Sequence, residues 1–254
     1  MGRWTIEQVD DVAVVTMTSN KVNALDDDFF SDLQSAIAEL QSAPPLPIVL
    51  TGTGRCFSAG LNLLELYEYD RTTLAAFVDR LNETVLAWFS LPRPTVAAVN
   101  GHAIAGGCVI ALACDLRIAV DDDEAQIGLN EVQVGIPFPS VPLEITRQAL
   151  SPERLREVTL TGALYTPDEA RARGLVDEIV ESETLLARAI AVARAIAPDS
   201  LEAYATIKSH LLAPTLARIT DCRTRVDRDF LDVWFSEPAR RQMNEVRERL
   251  LARH

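Results

Sequence analysis

The sequence predicts an α/β protein with a parallel-sheet core and an α-helical C-terminal unit. Up to Val180, short apolar runs typical of buried strands alternate with segments whose apolar residues recur at helical spacing. From Ser182 onward the pattern is helical only. The chain has 254 residues, of which 48% are hydrophobic, which is enough for one large domain or for a core with a small appended unit.

The first elements are a strand pair and a capped helix. Val12–Met17 is a β-rich run, and Glu7–Asp11 before it can hold a hairpin turn. The aspartates of Asp26–Asp28 supply a helix N-cap and first-turn acids. The helix that follows ends at Pro44-Pro45 and has apolar residues at helical spacing, namely Phe29, Leu33, Ile37 and Leu40.

A loop of small residues follows the next strand, Ile48–Leu50. Thr51–Gly54 breaks this strand, and Arg55–Leu63 then reads as a strand-to-turn loop whose backbone a ligand can reach. The segment lacks the third glycine of a dinucleotide fingerprint and the Gly-Lys-Ser/Thr of a P-loop. Ser58 does not lie in a G-x-S-x-G elbow, so none of these three sites is predicted.

The central stretch of the chain is Asn100–Asp115, which follows a long amphipathic helix and the buried strand Thr95–Val99. Asn100-Gly101 opens a turn, Gly106-Gly107 closes it, and Cys108–Ala113 is expected to be a buried helix. Glycines at a helix start let a ligand approach N–H groups that have no partner within the helix. Such a site suits an oxyanion, a phosphate or a thioester carbonyl. The alternative is a strand-turn-helix packed tightly for structural reasons alone.

The later elements are shorter. Leu116–Val120 is a predicted strand, and Asp121–Glu124 is expected to be a solvated turn rather than a metal site. Capping signals start helices at Ser151-Pro152 and at Thr166, and Leu175–Val180 is the final strand. The helical region has predicted breaks at three prolines and an apolar stripe that packs on the core or on a neighbouring subunit (breaks Pro198, Pro214 and Pro238; stripe Val226, Phe230, Val233 and Trp234).

Glu131 is the only acid between Glu124 and Glu144. A carboxylate in such an apolar stretch either pairs with another group or has a raised pKa. Because fully buried glutamates are rare, the residues alone favour a surface position for Glu131.

Composition excludes several classes of function. The net charge of −13 argues against a nucleic-acid partner, and any anionic ligand must be met by local positive groups. No apolar run is long enough to cross a membrane and no signal-peptide pattern is visible, so the expected location is the cytoplasm, without a membrane partner. The four cysteines have no C-x-x-C spacing, so neither a metal site nor a disulfide framework is predicted.

Four motifs together resemble the crotonase (enoyl-CoA hydratase/isomerase) superfamily and cover nearly the whole chain in the family's order. They are Val22–Leu25, Phe57–Leu63, Asn100–Asp115 and the segment Thr161–Val176. The resemblance implies a spiral of ββα units in residues 1–195, carrying the acyl-CoA site, and a C-terminal α-helical trimerisation region in residues 196–254. It also implies a homotrimer or a dimer of trimers.

The resemblance further implies the substrate and its binding site. Family members bind acyl-CoA and hold the thioester oxygen with two backbone N–H groups, which fall here on Leu61 and Gly106. The substrate-binding positions that follow from the motifs are Ser58, Ala59, Gly60, Leu61, Asn62, Gly106 and Val109. No cofactor is implied beyond the coenzyme A of the substrate.

The chemistry depends on two positions that carry glutamate in the family's hydratases. The first is Val109 in this chain and the second is Glu131, within an Ile127–Glu131 segment that matches the Δ3,Δ2-enoyl-CoA isomerase subgroup. This implies that Glu131 moves a proton between C2 and C4 of a 3-enoyl thioester. The alternatives are a hydratase or thioester hydrolase in which Glu131 activates water, and a CoA-ester-binding subunit without turnover.

Two departures from the family and several secondary candidates remain. Asn62 stands where the family usually has aspartate, and the loop Pro137–Pro142 lacks the glycines common there in hydratases. The secondary candidates for ligand contact are His102 beside the oxyanion turn, Arg55 and Arg93 for the CoA phosphates, Lys208 for the adenine end, and Tyr67 and Tyr69 for the acyl pocket. For each of them a purely structural role is the alternative.

Overall fold

The computed structural model of the chain describes residues 4–252. The first three and the last two residues, which belong to the predicted ranges 1–195 and 196–254, lie outside the described residues. The division at residue 195 falls between two helices, Leu185–Ala195 and Leu201–Trp234, and stays a prediction.

Two sheets form the centre of the molecule. The larger has the strand order β1-β2-β3-β5-β7-β10, and all its pairs are parallel except β1 with β2. The smaller has the order β4-β6-β8-β9, in which only β8 with β9 is antiparallel. The strands of the described chain are β1 (Trp4–Val9), β2 (Val12–Met17), β3 (Ile48–Thr51), β4 (Cys56–Ser58), β5 (Thr95–Val99), β6 (His102–Ile104), β7 (Leu116–Val120), β8 (Ile127–Gly128), β9 (Leu164–Tyr165) and β10 (Glu178–Val180).

Helices follow the strands in a repeated order. A strand of the large sheet, a strand of the small sheet and a helix succeed one another three times, which confirms the predicted ββα units. The helices within residues 4–252 are α1 (Asp27–Ser42), α2 (Leu63–Leu66), α3 (Arg71–Phe89), α4 (Gly106–Leu112), α5 (Glu131–Val134), α6 (Ser140–Ala149), α7 (Pro152–Thr161), α8 (Pro167–Ala172), α9 (Leu185–Ala195), α10 (Leu201–Trp234) and α11 (Glu237–Leu251), with a 3-10 turn at Ser182–Thr184.

Apolar residues cover both faces of the large sheet. On one face α9 packs against the strands through Leu185, Ala189 and Ala193. On the other face α1, α3 and α4 belong to the main core. Strands buried on both sides need apolar residues at successive positions, which explains why Thr95–Val99 shows no polar alternation.

The predicted helix starts are confirmed by their caps. The Asp26 carboxylate accepts a hydrogen bond from Phe29 N at 2.9 Å, and Ser151 caps α7 in the same way. Thr166 and Glu169 form the predicted capping box of α8. Each cap satisfies an N–H group that the first helical turn cannot satisfy.

The predicted break at Pro214 is wrong, because Pro214 lies inside the continuous helix α10. A proline there leaves the carbonyl of His210 without its helical donor, and His210 is exposed, so water can take the place of that donor. Packing of α10 on α6 and α3, through buried residues on both sides of the proline, holds the helix together. Pro198 lies between α9 and α10 as predicted, whereas Pro238 lies in the first turn of α11, directly after a break at Phe235-Ser236.

The apolar stripe of the C-terminal region divides between the core and the surface. Phe230 and Trp234 are buried in the main core, whereas the Val233 side chain is 40% exposed. Within residues 4–252, no helix is both long and apolar enough to cross a membrane. The same residues contain no cluster of three or more His, Cys, Asp or Glu side chains that could hold a metal ion.

The contacts of Lys208 favour a structural role over the predicted one at the adenine end of the ligand. Its ammonium group is buried and donates to Asp115 Oδ2 at 2.9 Å and to the carbonyl of Arg93 at 3.2 Å. The same Asp115 oxygen accepts from Thr95 and from the Tyr204 hydroxyl. Lys208 therefore ties α10 to the start of β5 and to the end of α4.

We expect Lys208→Met to lower the free energy of unfolding by about 2–3 kcal/mol, because it leaves the Asp115 carboxylate without its cation in a largely buried place. Urea unfolding measures this loss. Arg55→Met is the matched control, since Arg55 pairs with Asp122 and Glu124 at the surface and its loss should cost less than about 1 kcal/mol. Similar losses for the two variants would contradict the structural role of Lys208.

Candidate active site

The first functional loop joins β4 to α2. The Ser58 hydroxyl donates to the carbonyl of Asn23 at 2.7 Å and accepts from Gly60 N at 3.3 Å. Gly60 has a φ of 81°, a conformation that favours glycine, and its carbonyl accepts from Leu25 N at 2.9 Å. These contacts use the backbone groups around Leu61 but leave the Leu61 N–H without a hydrogen-bond partner among the described residues.

The hydrogen bonds of Asn62 account for an amide at the position where the family usually has aspartate. Its amide nitrogen donates to Asp26 Oδ2 at 3.5 Å and to Glu65 Oε2 at 3.3 Å. An aspartate at this position would place a third carboxylate beside these two and could not donate to either. Asn62 therefore anchors the loop to the N-cap of α1 with a neutral side chain.

The second functional loop joins β6 to α4. Ala105, with a φ of 50° and a ψ of −122°, adopts a conformation that side chains disfavour, and this residue sets the direction of the Gly106 N–H. Gly106 is the first residue of α4, so its N–H has no partner within the helix. Among residues 4–252, no other backbone group accepts from it.

The two loops touch through their glycines. A methyl group on Gly60 would lie 2.8 Å from the carbonyl oxygen of Ile104 and 3.2 Å from Gly106 N. A methyl group on Gly107 would lie 2.2 Å from the carbonyl oxygen of Ser58. Backbone can approach this closely only where no Cβ intervenes. The glycines thus bring the Leu61 and Gly106 N–H groups to neighbouring positions.

Glu131 begins the short helix α5, directly after β8. It is buried, with 5% of its surface exposed, so the surface position favoured by the residues alone is wrong. Its Oε2 atom has no hydrogen-bond partner, and burial raises the pKa of the carboxyl to about 8, against a smaller lowering effect from its own backbone N–H. The carboxyl is thus buried, and its Oε2 atom has no partner among the described residues.

A cavity of about 380 Å³ brings the predicted site residues together. Leu61, Gly106 and Glu131 lie on its wall, as do Ala59, Asn62 and Val109. Ser58 and Gly60 do not line it, since Ser58 is fully buried behind the loop and Gly60 contacts the second loop. The structure places these two residues as supports of the loop, and their predicted contact with a ligand stays a prediction.

Most of the cavity wall is apolar. The loop that lacks glycines contributes Pro137 and Pro139, and α6 contributes Pro142, so prolines shape this side of the cavity. Sequence reasoning missed the part formed by α11, whose Val246 and Leu250 face the same space. Their spacing, with the buried Met243, follows one helical face, but the sequence does not say which surface that face covers.

The secondary candidates lie away from the cavity. His102 Nδ1 accepts from Gln126 N at 3.0 Å, which is a structural role, and Arg55 pairs with surface acids. Arg93 is buried, and its burial lowers the pKa of the guanidinium. Tyr69 donates to Glu65 and Asp27, while Tyr67 packs against arginines of α11. None of these residues lines the cavity.

This arrangement suits one kind of chemistry. Two free backbone N–H groups stabilise negative charge that develops on a carbonyl oxygen. A carboxyl with a raised pKa beside them can accept and return a proton. Together they suit an enzyme that moves a proton next to a carbonyl group whose oxygen gains negative charge.

Comparison with known proteins identifies the family. A family model described as enoyl-CoA hydratase/isomerase matches residues 7–248. A short-chain-enoyl-CoA hydratase of Clostridium acetobutylicum is 31% identical over 198 residues, covering 77% of this chain and 75% of the relative. Human mitochondrial enoyl-CoA delta isomerase 1 is 29% identical over 243 residues, covering 94% and 80%.

Solved structures agree. The crystal structure of human mitochondrial delta3-delta2-enoyl-CoA isomerase superposes with a TM-score of 0.93 at 27% identity, covering 99% of both chains. An apo structure of a Mycobacterium tuberculosis enoyl-CoA isomerase superposes with a TM-score of 0.82 at 29% identity, covering 90% of this chain and 99% of that one. The chain belongs to the enoyl-CoA hydratase/isomerase family, the crotonase superfamily, and is an enzyme with the crotonase fold. The resemblance to the isomerase subgroup is confirmed.

The buried carboxyl predicts a pH-dependent stability. The folded chain binds the Glu131 proton up to a pKa of about 8, whereas the unfolded chain releases it near 4.5. Stability therefore falls as pH rises between these values, by at most about 1.4 kcal/mol per pH unit. The glutamine of Glu131→Gln does not titrate. The free energy of unfolding of this variant should therefore rise relative to that of the wild type from pH 5 to pH 8, and the difference between the two should then stay constant.

Urea unfolding at pH 5, 7 and 8.5 measures this difference. Glu153→Gln is the control, because Glu153 is exposed and should show no such trend. A constant difference between Glu131→Gln and the wild type across this range would show that Glu131 is ionised and solvated in the folded chain.

Proposed function

We propose that the protein is a Δ3,Δ2-enoyl-CoA isomerase that uses Glu131 as its single proton carrier. The observation that carries this proposal is that Glu131 is the one carboxyl on the described cavity wall, on which the two free N–H groups also lie. The position where the family's hydratases carry a second glutamate is the apolar, buried Val109. Position 109 therefore offers no polar group that could hold a water molecule opposite the carboxyl of Glu131.

The proposed reaction moves a double bond without changing the composition of the substrate. The ionised Glu131 carboxylate takes a proton from C2 of a 3-enoyl thioester, and the electron pair of that C–H bond moves toward the thioester carbonyl. The dienolate oxygen accepts hydrogen bonds from Leu61 N–H and Gly106 N–H. The protonated Glu131 then gives its proton to C4, so that the C3–C4 double bond becomes a C2–C3 double bond and the carboxylate is restored.

The physical properties of the site support each half of this cycle. A carboxylate with a pKa of about 8 is a stronger base than an exposed glutamate, because burial disfavours its charged form. Each oxyanion donor contributes about 2.7–4 kcal/mol in sites of this kind. Apolar neighbours such as Val109 and Ile136 keep water from competing with the substrate for the proton.

A second candidate is water addition, or thioester hydrolysis, with Glu131 activating water. The names of several relatives favour this candidate. One relative is the Clostridium hydratase, and another is a Thermus thermophilus protein, 36% identical over 210 residues, which is provisionally named as an enoyl-CoA hydratase. A hydrating water needs two or more polar partners, and Val109 supplies none. A CoA-ester-binding subunit without turnover is the third possibility, and the free Glu131 oxygen argues against it.

Assembly and location extend the proposal. We propose a homotrimer or a dimer of trimers in the cytoplasm that needs no cofactor beyond the coenzyme A of its substrate. A shallow apolar groove supports self-association, since Val132, Leu160 and Val233 expose a large part of their side chains along it. Sedimentation velocity of the purified protein tests the assembly.

The substrate assay decides among the three functions. Purified protein is incubated with a 3-enoyl-CoA and, separately, with a 2-enoyl-CoA, and products are followed by mass and ultraviolet absorbance. We expect conversion of the 3-enoyl to the 2-enoyl thioester at unchanged mass. Gain of water by either substrate would favour the hydratase, and release of free coenzyme A the hydrolase. Binding without any change would favour the third possibility.

Glu131→Gln should lower the turnover number by about 10²–10⁴-fold, the usual contribution of general acid–base catalysis, while the affinity for the acyl thioester is kept. In the wild type, kcat/KM should rise with pH and level off above about 8, because only the ionised carboxyl accepts the C2 proton. Steady-state rates from pH 5.5 to 9.5 measure both effects, with Glu153→Gln as the control. Unchanged turnover in Glu131→Gln would remove Glu131 from the mechanism.

A further inference from the structure

Helix α11 connects the two halves of the catalytic site. It packs against α2, which follows the Leu61 loop, and against α5, which carries Glu131. Val246 and Leu250 of α11 form part of the cavity wall. The Gln242 side chain donates to the carbonyl of Gln133, the third residue of α5, at 2.8 Å. Displacement of α11 would therefore open the cavity on the side of the carboxyl.

Tyr67, which lies outside the cavity, provides the attachment of α11 to the first loop. The Arg240 guanidinium carbon lies 3.5 Å from the centre of the Tyr67 ring, and Arg240 Nη1 donates to the Tyr67 carbonyl at 2.8 Å. Arg247, two turns further along α11, lies 4.8 Å from the same ring centre and pairs with Glu68 at 2.6 Å. Two guanidinium groups of one helix thus bind one aromatic ring.

We propose that Tyr67 is a positioning residue, which keeps water away from Glu131 by holding α11 across α2 and α5. This proposal rests on the proposed function in one respect, that Glu131 is the base. The exclusion of water from Glu131 can be measured without a substrate. Tyr67 directly follows α2, so the ring that holds α11 and the Leu61 N–H belong to one short segment.

The surroundings of Glu131 explain why the exclusion of water affects its carboxyl group. Burial is the cause that raises the Glu131 pKa, and no cation pairs with this carboxyl among the described residues. On α4 the Cys108 thiol feels the Glu131 charge, which adds to burial in raising the pKa of Cys108. Charged side chains on the other elements packed nearby are held by different partners: Arg240 and Arg247 by Tyr67 and Glu68, Glu65 by Asn62 and Tyr69, Glu157 by Arg154 and Arg173, and Glu144 by Arg147 and Arg218.

Water that reaches the carboxyl would stabilise its ionised form and lower its pKa toward the ordinary value of 4.5. Tyr67→Leu removes the aromatic face and should let this happen. Tyr67→Phe keeps the face, and the Tyr67 hydroxyl forms no hydrogen bond among those described, so this conservative variant should behave as the wild type. The pair separates the role of the ring from that of a polar contact.

The first experiment is an infrared titration of the ligand-free protein, in which the protonated Glu131 band is assigned by its loss in Glu131→Gln. We expect the midpoint to fall by about one pH unit or more in Tyr67→Leu and to stay near 8 in Tyr67→Phe. A folded Tyr67→Leu that titrates like the wild type overturns the proposal. This readout needs no turnover, so it stands even if the proposed reaction fails.

The second experiment follows kcat/KM for a 3-enoyl-CoA against pH. In Tyr67→Leu the rising limb should move to lower pH by the same amount, since a fall of one unit raises the ionised fraction at pH 6 about tenfold. A lower rate at every pH with an unmoved midpoint contradicts the proposal, because that is what a merely structural role predicts. If Tyr67→Leu does not fold, the double variant Arg240→Met and Arg247→Met removes the two cations and leaves the ring, and the same shift is expected.

Discussion

The site depends on the parallel pairing of three short strands. β4, β6 and β8 lie side by side in the small sheet, and their carboxyl ends point the same way. Leu61, Gly106 and Glu131 each follow the end of one of these strands by two or three residues. The ββα repeat thus delivers three groups that are distant in sequence to one edge of one sheet. Glycine at positions 60 and 107 lets the first two loops close on each other, and a side chain at either position would separate them.

Stability and reactivity oppose each other at Glu131. A buried carboxyl without an ion-pair partner costs folding free energy, most of all above the pH at which it ionises. In the proposed mechanism the same burial makes Glu131 a stronger base, so a stabilised variant of this position would be expected to be a poor catalyst. The rest of the fold offsets the cost with buried elements that have no part in the chemistry, such as the Lys208–Asp115 pair and the aromatic contacts of Phe29, Phe30 and Phe77.

Local signals in the sequence were sufficient for the fold class and most element starts, because caps such as Asp26 and Thr166 act within one helical turn. They were insufficient for β4 and β6, which have three residues each and no room for a periodic pattern. Pro214 was misjudged because tertiary packing overrides a local helix breaker. The burial of Glu131 and the covering of the cavity by α11 depend on contacts far apart in the chain, and Glu131 was identified through the family resemblance rather than by its neighbours.

The division of labour between backbone and side chains explains how one fold can serve more than one reaction. The two proposed oxyanion donors are backbone groups, so they persist under any substitution that keeps the loops closed. The choice of reaction then rests on the few side chains that face the thioester. Val109 lies three residues after Gly106 on α4, and this spacing directs its side chain to the cavity that the Gly106 N–H also faces. With valine there, position 109 offers no second carboxylate to hold water opposite Glu131, and this is the feature that favours the proposed return of the proton to carbon.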